Sequence, residues 1–327
     1  MNFSLVGAGA GLVSALLIAV VAKATPLALL LFLLAPIPVL IVTLGWDHRA
    51  GLVACLTGGL ATALALSPIE GIGFAVGTGL PAWWLGYLAL LGKAQPSGAV
   101  DWYPLGRLLA WIAATAALTV LATAIVSSAG DFASFHGRMR RIADLFLQAQ
   151  LRGPPGAPKP ADDALIEAVA QRFAALAPMF AAQGFTLILT AYVWIGAKVV
   201  ALSGRLPRPW PYIPATQMPR SALVMLAGAF GLAYAAGGFA GVLGLSLLGA
   251  TLMAFGLQGL ARLHQVTLGR GGRTAMLTIA YLLLVLSQGM LFIALILFGI
   301  ADTLFGLRAR LKLPPAPPLG GPGPRST

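Results

Sequence analysis

Residues 131–180 read DFASFHGRMRRIADLFLQAQLRGPPGAPKPADDALIEAVAQRFAALAPMF, and most of this stretch is not built for hydrocarbon. Its first half places Phe132, Phe135, Met139, Ile142, Phe146 and Ala149 three or four residues apart. Its second half does the same with Ile166, Val169, Phe173, Leu176 and Phe180. That spacing keeps one apolar side chain per turn on a single helical stripe. Between the halves, Gly153, Pro154, Pro155, Gly156, Pro158 and Pro160 cannot continue a helix. Asp162 and Asp163 suit a helix start, as cap or first-turn carboxylates. The pattern predicts an amphipathic helix–hinge–helix insert over 130–178. It separates a first membrane block, 1–129, from a second, 179–312, and a Pro/Gly-rich tail over 313–327 is expected to be disordered.

Composition explains why the flanks read as membrane. Hydrophobic residues make up 59% of the 327 positions and charged residues only 9%, whereas a soluble domain carries about 25% charged residues. So small a polar supply cannot cover a water-facing surface. The expected fold is all-α, a polytopic transmembrane helical bundle of about eight to ten spans in the lipid bilayer. The net charge of +12 does not indicate nucleic acid, because its Lys and Arg sit in short loops between apolar runs. The single cysteine, Cys55, excludes an internal disulfide and a cysteine metal cluster.

In the first block the apolar runs 5–22, 26–45, 50–67, 72–92 and 108–129 read as spans. The first lacks a basic leader region and is expected to be retained. Gly7, Gly11, Ala15 and Ala19 recur every four residues along it. Such a stripe admits another helix backbone closely, either within this chain or from a separate membrane subunit. Pro36 and Pro38 lie inside the second run and Pro81 inside the fourth, where each removes a backbone donor. Trp83, Trp84 and Tyr87 follow Pro81, as an interfacial belt, as core packing, or as a ligand-stacking wall.

The second block holds runs 181–203, 221–237, 239–261 and 275–305. The last spans 31 residues, longer than the roughly 20 needed for one crossing. It is either one tilted helix or a pair broken near Gln288-Gly289. With the N-terminus in the cytosol, Arg49, Lys93, Arg107, Arg205, Arg208, Arg220, Arg262, Arg270 and Arg273 all fall in inner loops, and Lys23 alone marks the short outer ones. A broken last pair would return Arg308, Arg310 and Lys312 to the same side. The arrangement this implies is multi-pass, with the 131–178 insert outside.

Catalytic signatures are missing. Gly92-Lys93 is followed by Ala94, so no phosphate-binding loop is present and energy from ATP would have to come from another chain. Three dispersed histidines offer no metal site, and no Ser/His/Asp spacing appears. The expectation is therefore no enzyme activity, no metal and no cofactor. Asp302 is an intramembrane carboxylate, either at a helix end paired with a loop arginine or buried and functional. Gln258 and Gln288 are amides within apolar runs, suited to interhelical hydrogen bonds or to a substrate.

Three stretches carry a resemblance: LAPIPVLIVTLGW at 34–46, RLPRPWPYIPATQMP at 205–219 and FGIADTLFGLRARL at 298–311. They resemble DUF2232, a family of bacterial membrane proteins that includes the YybS-like proteins. In it a span with paired prolines follows the first helix, and a Gly-x-x-Asp precedes an Arg-bearing tail, here Gly299, Asp302 and Arg308. The family is similar in turn to the S components of energy-coupling-factor transporters, small helical bundles that bind a vitamin or metal. The resemblance implies docking of the Gly7/Gly11/Ala15/Ala19 stripe onto a shared membrane subunit. Two functions are expected from this reading. One is a small-solute-binding module energised by partner subunits, with a cavity lined by spans two to four and the nearby aromatics. The other is a membrane scaffold in envelope or division processes. The amphipathic pair would extend spans five and six beyond the membrane and zip together through its stripes, lie on anionic headgroups through His136, Arg138, Arg140 and Arg141, or cap the cavity as a lid.

Overall fold

The structure is a computed structural model that describes residues 2–151 and 163–307. The hinge glycines and prolines, Asp162, Arg308, Arg310, Lys312 and the 313–327 tail lie outside the described residues, as does the side chain of Ala149. The chain is all-α. Its helices are α1 (Phe3–Ala19), α2 (Pro26–Leu33), α3 (Pro36–Gly45), α4 (His48–Ala65), α5 (Pro68–Phe74), α6 (Leu80–Ala89) and α7 (Leu105–Ser127), then α8 (Phe132–Leu151), α9 (Asp163–Leu202), α10 (Ser221–Ala235), α11 (Gly238–Val266), α12 (Arg273–Leu286) and α13 (Phe292–Phe305). Among the described residues, five helical stretches are long and apolar enough to cross a membrane: 3–23, 26–45, 105–127, 166–202 and 238–266. The expected eight to ten spans are reached only by counting α4, the Pro68–Ala89 run, α10, α12 and α13, which are shorter, interrupted or less apolar.

Helix starts follow capping chemistry. The Thr25 hydroxyl accepts from Ala28 N at 3.1 Å and the Ser67 hydroxyl from Glu70 N at 3.3 Å, each with proline at the next position. Asp131 begins α8 by accepting from Ala133 N and Ser134 N. These bonds, with the Ser134 hydroxyl foremost, hold its carboxyl below the usual range. The cap therefore contributes above the ordinary carboxylate pKa and is lost as pH falls through the lowered one. The interior prolines are absorbed locally. Before Pro36 the chain tightens, with Leu34 N, Ala35 N and Ile37 N each reaching back three residues. Before Pro81 a π-helical turn over Ala75–Gly79 joins α5 to α6.

The small-residue stripe of α1 is spent inside the chain. A Cβ on Gly7 would lie 2.4 Å from Ala50 O, and one on Gly11 would lie 2.4 Å from Ala54 O, so α4 rides directly on this face. Ala15 is buried and Ala19 half-buried on the same helix. A separate subunit could use the stripe only by displacing α4.

α11 is the central rod. It packs on α7, α9, α10 and α13 because small residues face each neighbour. Gly244 lies against Ala233, Gly249 against Met179 O, and Gly259 against Leu295 O. The 275–305 run is broken: α12 and α13 have 14 residues each and are separated by a turn in which Gln288 and Gly289 both take positive φ. Each rises about 21 Å, less than the roughly 30 Å of hydrocarbon.

The second arm of the insert and the sixth span form one helix. α9 runs unbroken for 40 residues through Pro178, about 60 Å, so the border at 178–179 falls within one helix. The two arms meet on an alanine seam, Ala143 against Ala170 and Ala174, with Met139 and Leu147 beside it. Arg140 pairs with Glu167 at 3.1 Å. Phe146 stacks on Phe173, and Phe173 on Phe180, yet Ile142, Leu145 and these three rings remain exposed. The stripes thus meet only in part. A short hairpin, β1 (Gly92–Ala94) with β2 (Val100–Trp102), occupies what reads in the sequence as a plain loop.

Candidate functional site

Three helices of the bundle turn the same kind of face toward one another. α7 presents Leu105, Leu108, Leu109 and Ile112. α9 presents Thr190, Val193, Trp194 and Ala197, and α11 presents Leu257, Leu260, Ala261 and His264. Each set has the i, i+3, i+4, i+7 spacing of a single helical side. They enclose a cavity of about 640 Å³, within the range of small-molecule sites. The loop 205–216 roofs it with Leu206, Arg208, Trp210, Pro211, Ile213, Pro214 and Thr216. Its prolines leave helix only in one 3-10 turn, Ile213–Ala215, and the rest of the loop crosses the opening in irregular form.

Arg208 is the charged group of this roof. It is 8% exposed, and its guanidinium donates to Ala89 O at 3.1 Å, at the C-terminal end of α6. Its Nε finds no partner among the described residues. Burial draws its pKa down from the ordinary arginine value. Two other cations of this end lie over rings, Lys198 over Trp210 at 4.9 Å and Arg205 over Trp46 at 4.4 Å. At the side of the cavity, His264 Nε2 and Tyr281 Oη lie 2.8 Å apart and tie α11 to α12. Trp194 is 49% and Tyr281 42% exposed, so the cavity opens laterally between α9 and α12.

An adjoining face of α11 carries a buried polar network. Gln258, Arg262 and Gln265, spaced i, i+4, i+7, point toward α13. Arg262 and Asp302 pair at 2.6 Å, both fully buried. Gln258 Nε2 donates to Asp302 at 2.8 Å, to Thr303 at 3.0 Å and to Gly299 O at 3.2 Å. Arg262 also donates to Gln265 Oε1. On the other side, Gln258 Oε1 accepts from Met218 N at 2.9 Å. The network thus fastens α13 and the cavity roof to the same helix. Gln258→Met keeps the volume and removes all of these Gln258 bonds. Faster amide hydrogen exchange across 213–219 is the expected result, and an unchanged rate at Met218 would count against the tether.

Several sequence expectations change here. The cavity is not enclosed by spans two to four; Leu44, Ala89 and Leu90 are the contributions from before α7. Trp83, Trp84 and Tyr87 do not line it. They cluster with His48 and Trp111, and Trp83 donates to His48 O at 2.9 Å, which makes a packed aromatic girdle rather than a ligand wall. Gln288 sits exposed at the α12–α13 turn, away from the cavity. Asp302 does meet an arginine, but in the interior, and Arg262 belongs to the last turns of α11 rather than to a loop. Among the described residues, the α8–α9 insert packs near Ala124 and Val242, at the other end of the bundle from the cavity roof. Arg208, Arg262, His264, Tyr281 and Thr303 escape sequence reasoning as site residues. The available signals were the Pro-Arg-Pro-Trp-Pro run for Arg208 and the four-residue step from Gln258 for Arg262.

Compared with known families, residues 12–303 match DUF2232, described as a predicted membrane protein. No curated protein and no solved structure matches the chain.

Proposed function

We propose a solute-binding role for this chain, which belongs to the DUF2232 family of predicted membrane proteins. The observation that carries the proposal is the cavity of about 640 Å³, walled by apolar faces of α7, α9 and α11 and dressed with a few polar groups at its roof. The occupant is a small molecule with a substantial apolar part. The chain acts as the binding module of a transport system energised by partner subunits, in keeping with a sequence that carries no phosphate-binding loop of its own. The resemblance to YybS-like proteins and, through them, to transporter S components points the same way. Docking through Gly7 and Gly11 is not part of this reading, because α4 occupies that face. The basic loops around Trp46, Ala89 and Gly106 meet the 205–217 loop at one end of the bundle, and that end is assigned to the cytosol of a bacterial inner membrane.

Native mass spectrometry of gently extracted protein tests the role. A retained small molecule is expected, together with its loss in Ala261→Trp, which puts an indole into the cavity. Identical spectra for the two proteins would end the binding reading. A scaffold role has one observation in its favour, the exposed Ile142, Leu145, Phe146 and Phe173 of the insert. Deleting 133–176 separates the two: a binding module keeps its retained molecule, while a scaffold loses its protein partners.

A further inference from the structure

We infer that the cavity binds an amphipathic anion, a single apolar chain or ring system ending in one phosphate or carboxylate, with the anionic end on Arg208. This assignment rests on the solute-binding reading above and names the chemistry of its ligand. The roof arginine is nine-tenths buried, and its one hydrogen bond among the described residues goes to a backbone carbonyl, Ala89 O. A buried cation whose partner is a carbonyl dipole is poorly compensated. No carboxylate lies within ion-pair distance of it among the described residues, its enclosed Nε has no partner, and the lining around it is mostly apolar, with Thr190, Thr216, His264 and Tyr281 as neutral polar members. A guanidinium offers a planar set of donors that matches a carboxylate or phosphate edge. The missing negative charge must therefore arrive with the occupant.

The walls say what else that occupant carries. Below Arg208 the lining is hydrocarbon along Leu105–Ile112 of α7 and Leu257–Ala261 of α11, which suits a chain or fused rings rather than a sugar or nucleotide. The lateral opening between Trp194 and Tyr281 gives a molecule dissolved in the bilayer a route that avoids water. Every residue of α12 is at least partly exposed, so this wall is the least held side of the cavity. The bond between His264 and Tyr281 is what spans the gap.

The full chain in phosphatidylcholine nanodiscs is titrated with dodecyl phosphate, dodecanoate, dodecanol, dodecyltrimethylammonium and inorganic phosphate. Tryptophan fluorescence reads binding, since Trp194 and Trp210 line the cavity. Saturable binding of the two anionic amphiphiles is expected, about tenfold or more tighter than dodecanol, with neither the cationic amphiphile nor inorganic phosphate competing. Arg208→Gln is expected to bring the anions down to the dodecanol level, and Arg208→Lys to retain part of the preference. The ranking on the unmodified chain needs no variant, so poor folding of Arg208→Gln leaves the test intact. Equal binding of dodecanol and the anions overturns the anion assignment while the binding role stands. Inorganic phosphate binding as tightly as dodecyl phosphate overturns the amphiphile and leaves a free-anion site. No saturable binding of any chain probe, with Ala261→Trp indistinguishable, overturns both.

Discussion

Asp302→Ala is expected to destabilise the detergent-solubilised protein far more than the double change Arg262→Met with Asp302→Leu. The pair at 2.6 Å is fully buried on both sides. Removing the carboxylate leaves the Arg262 guanidinium with Gln265 and no counter-charge, in an interior where an unpaired ion costs several kcal/mol. The single change should cost about 3–5 kcal/mol. Replacing both partners by apolar residues of similar length removes the two desolvation penalties together. Such swaps are often neutral, so most of the loss should be recovered. Two further atoms sharpen the contrast, because Arg262 Nε and Asp302 Oδ1 find no partner among the described residues, and the pair is thus incompletely satisfied even when intact. Melting followed by size-exclusion fluorescence reads the difference. Equal losses in the single and double variants would mean that the network holds the fold by its hydrogen bonds to Gln258 and Thr303, and not by charge pairing.

The network also explains why an intramembrane ion pair, usually read as a transport residue, sits here beside the cavity rather than in it. α11 shows the cavity Leu257, Ala261 and His264, and shows α13 the residues Gln258, Arg262 and Gln265. One helix separates binding from clasping. Through Met218 N, the clasp also sets the position of the loop that carries Arg208.

Fold class was legible because composition leaves no alternative: with 9% charged residues the spans announce themselves. Asp131 opens the insert after a turn in which Ala129 and Gly130 take positive φ, and it caps the next helix. Where the second arm gives way to the sixth span is not marked in the sequence. Polarity fades gradually along 163–180, and Pro178 removes one donor without forbidding a helix whose neighbours hold it. The cavity was hidden for a different reason. Along a membrane helix, a side facing lipid and a side facing an apolar cavity use the same residues, so Leu108 and Ile112 look no different from Leu118, which is exposed. Arg262 was hidden because a charge just past an apolar run reads as interfacial, and the interhelical partner that draws it inside lies 40 residues away. The glycine stripe of α1 was visible as a packing surface, but spacing alone cannot say which backbone fills it.

The α11–α13 contact yields the second large effect. Gly259→Val is expected to force the two helices apart, since even a Cβ there would sit 2.0 Å from Leu295 O, a backbone atom that cannot swing aside. The same crossing repeats in the other direction, where a Cβ on Gly299 would meet Phe255 O at 2.1 Å. Close approach is thus demanded by both partners, and neither helix can rotate to relieve the overlap without driving the other glycine into its neighbour. Overpacking of this kind costs about 1–3 kcal/mol where flexible side chains absorb it. Here the loss should exceed that range, because any separation also draws Asp302 away from Arg262 and Gln258, which lie on the adjoining turns. Gly231→Ala in α10 is the matched control. Nothing lies within 4 Å of a Cβ at that position, and alanine in place of glycine within a helix should stabilise by about 0.5–1 kcal/mol. Opposite shifts in melting temperature for the two variants are the expected outcome. If Gly259→Val melts with the unmodified chain, α13 is not packed on α11 as described, and the buried ion pair loses its geometric basis with it.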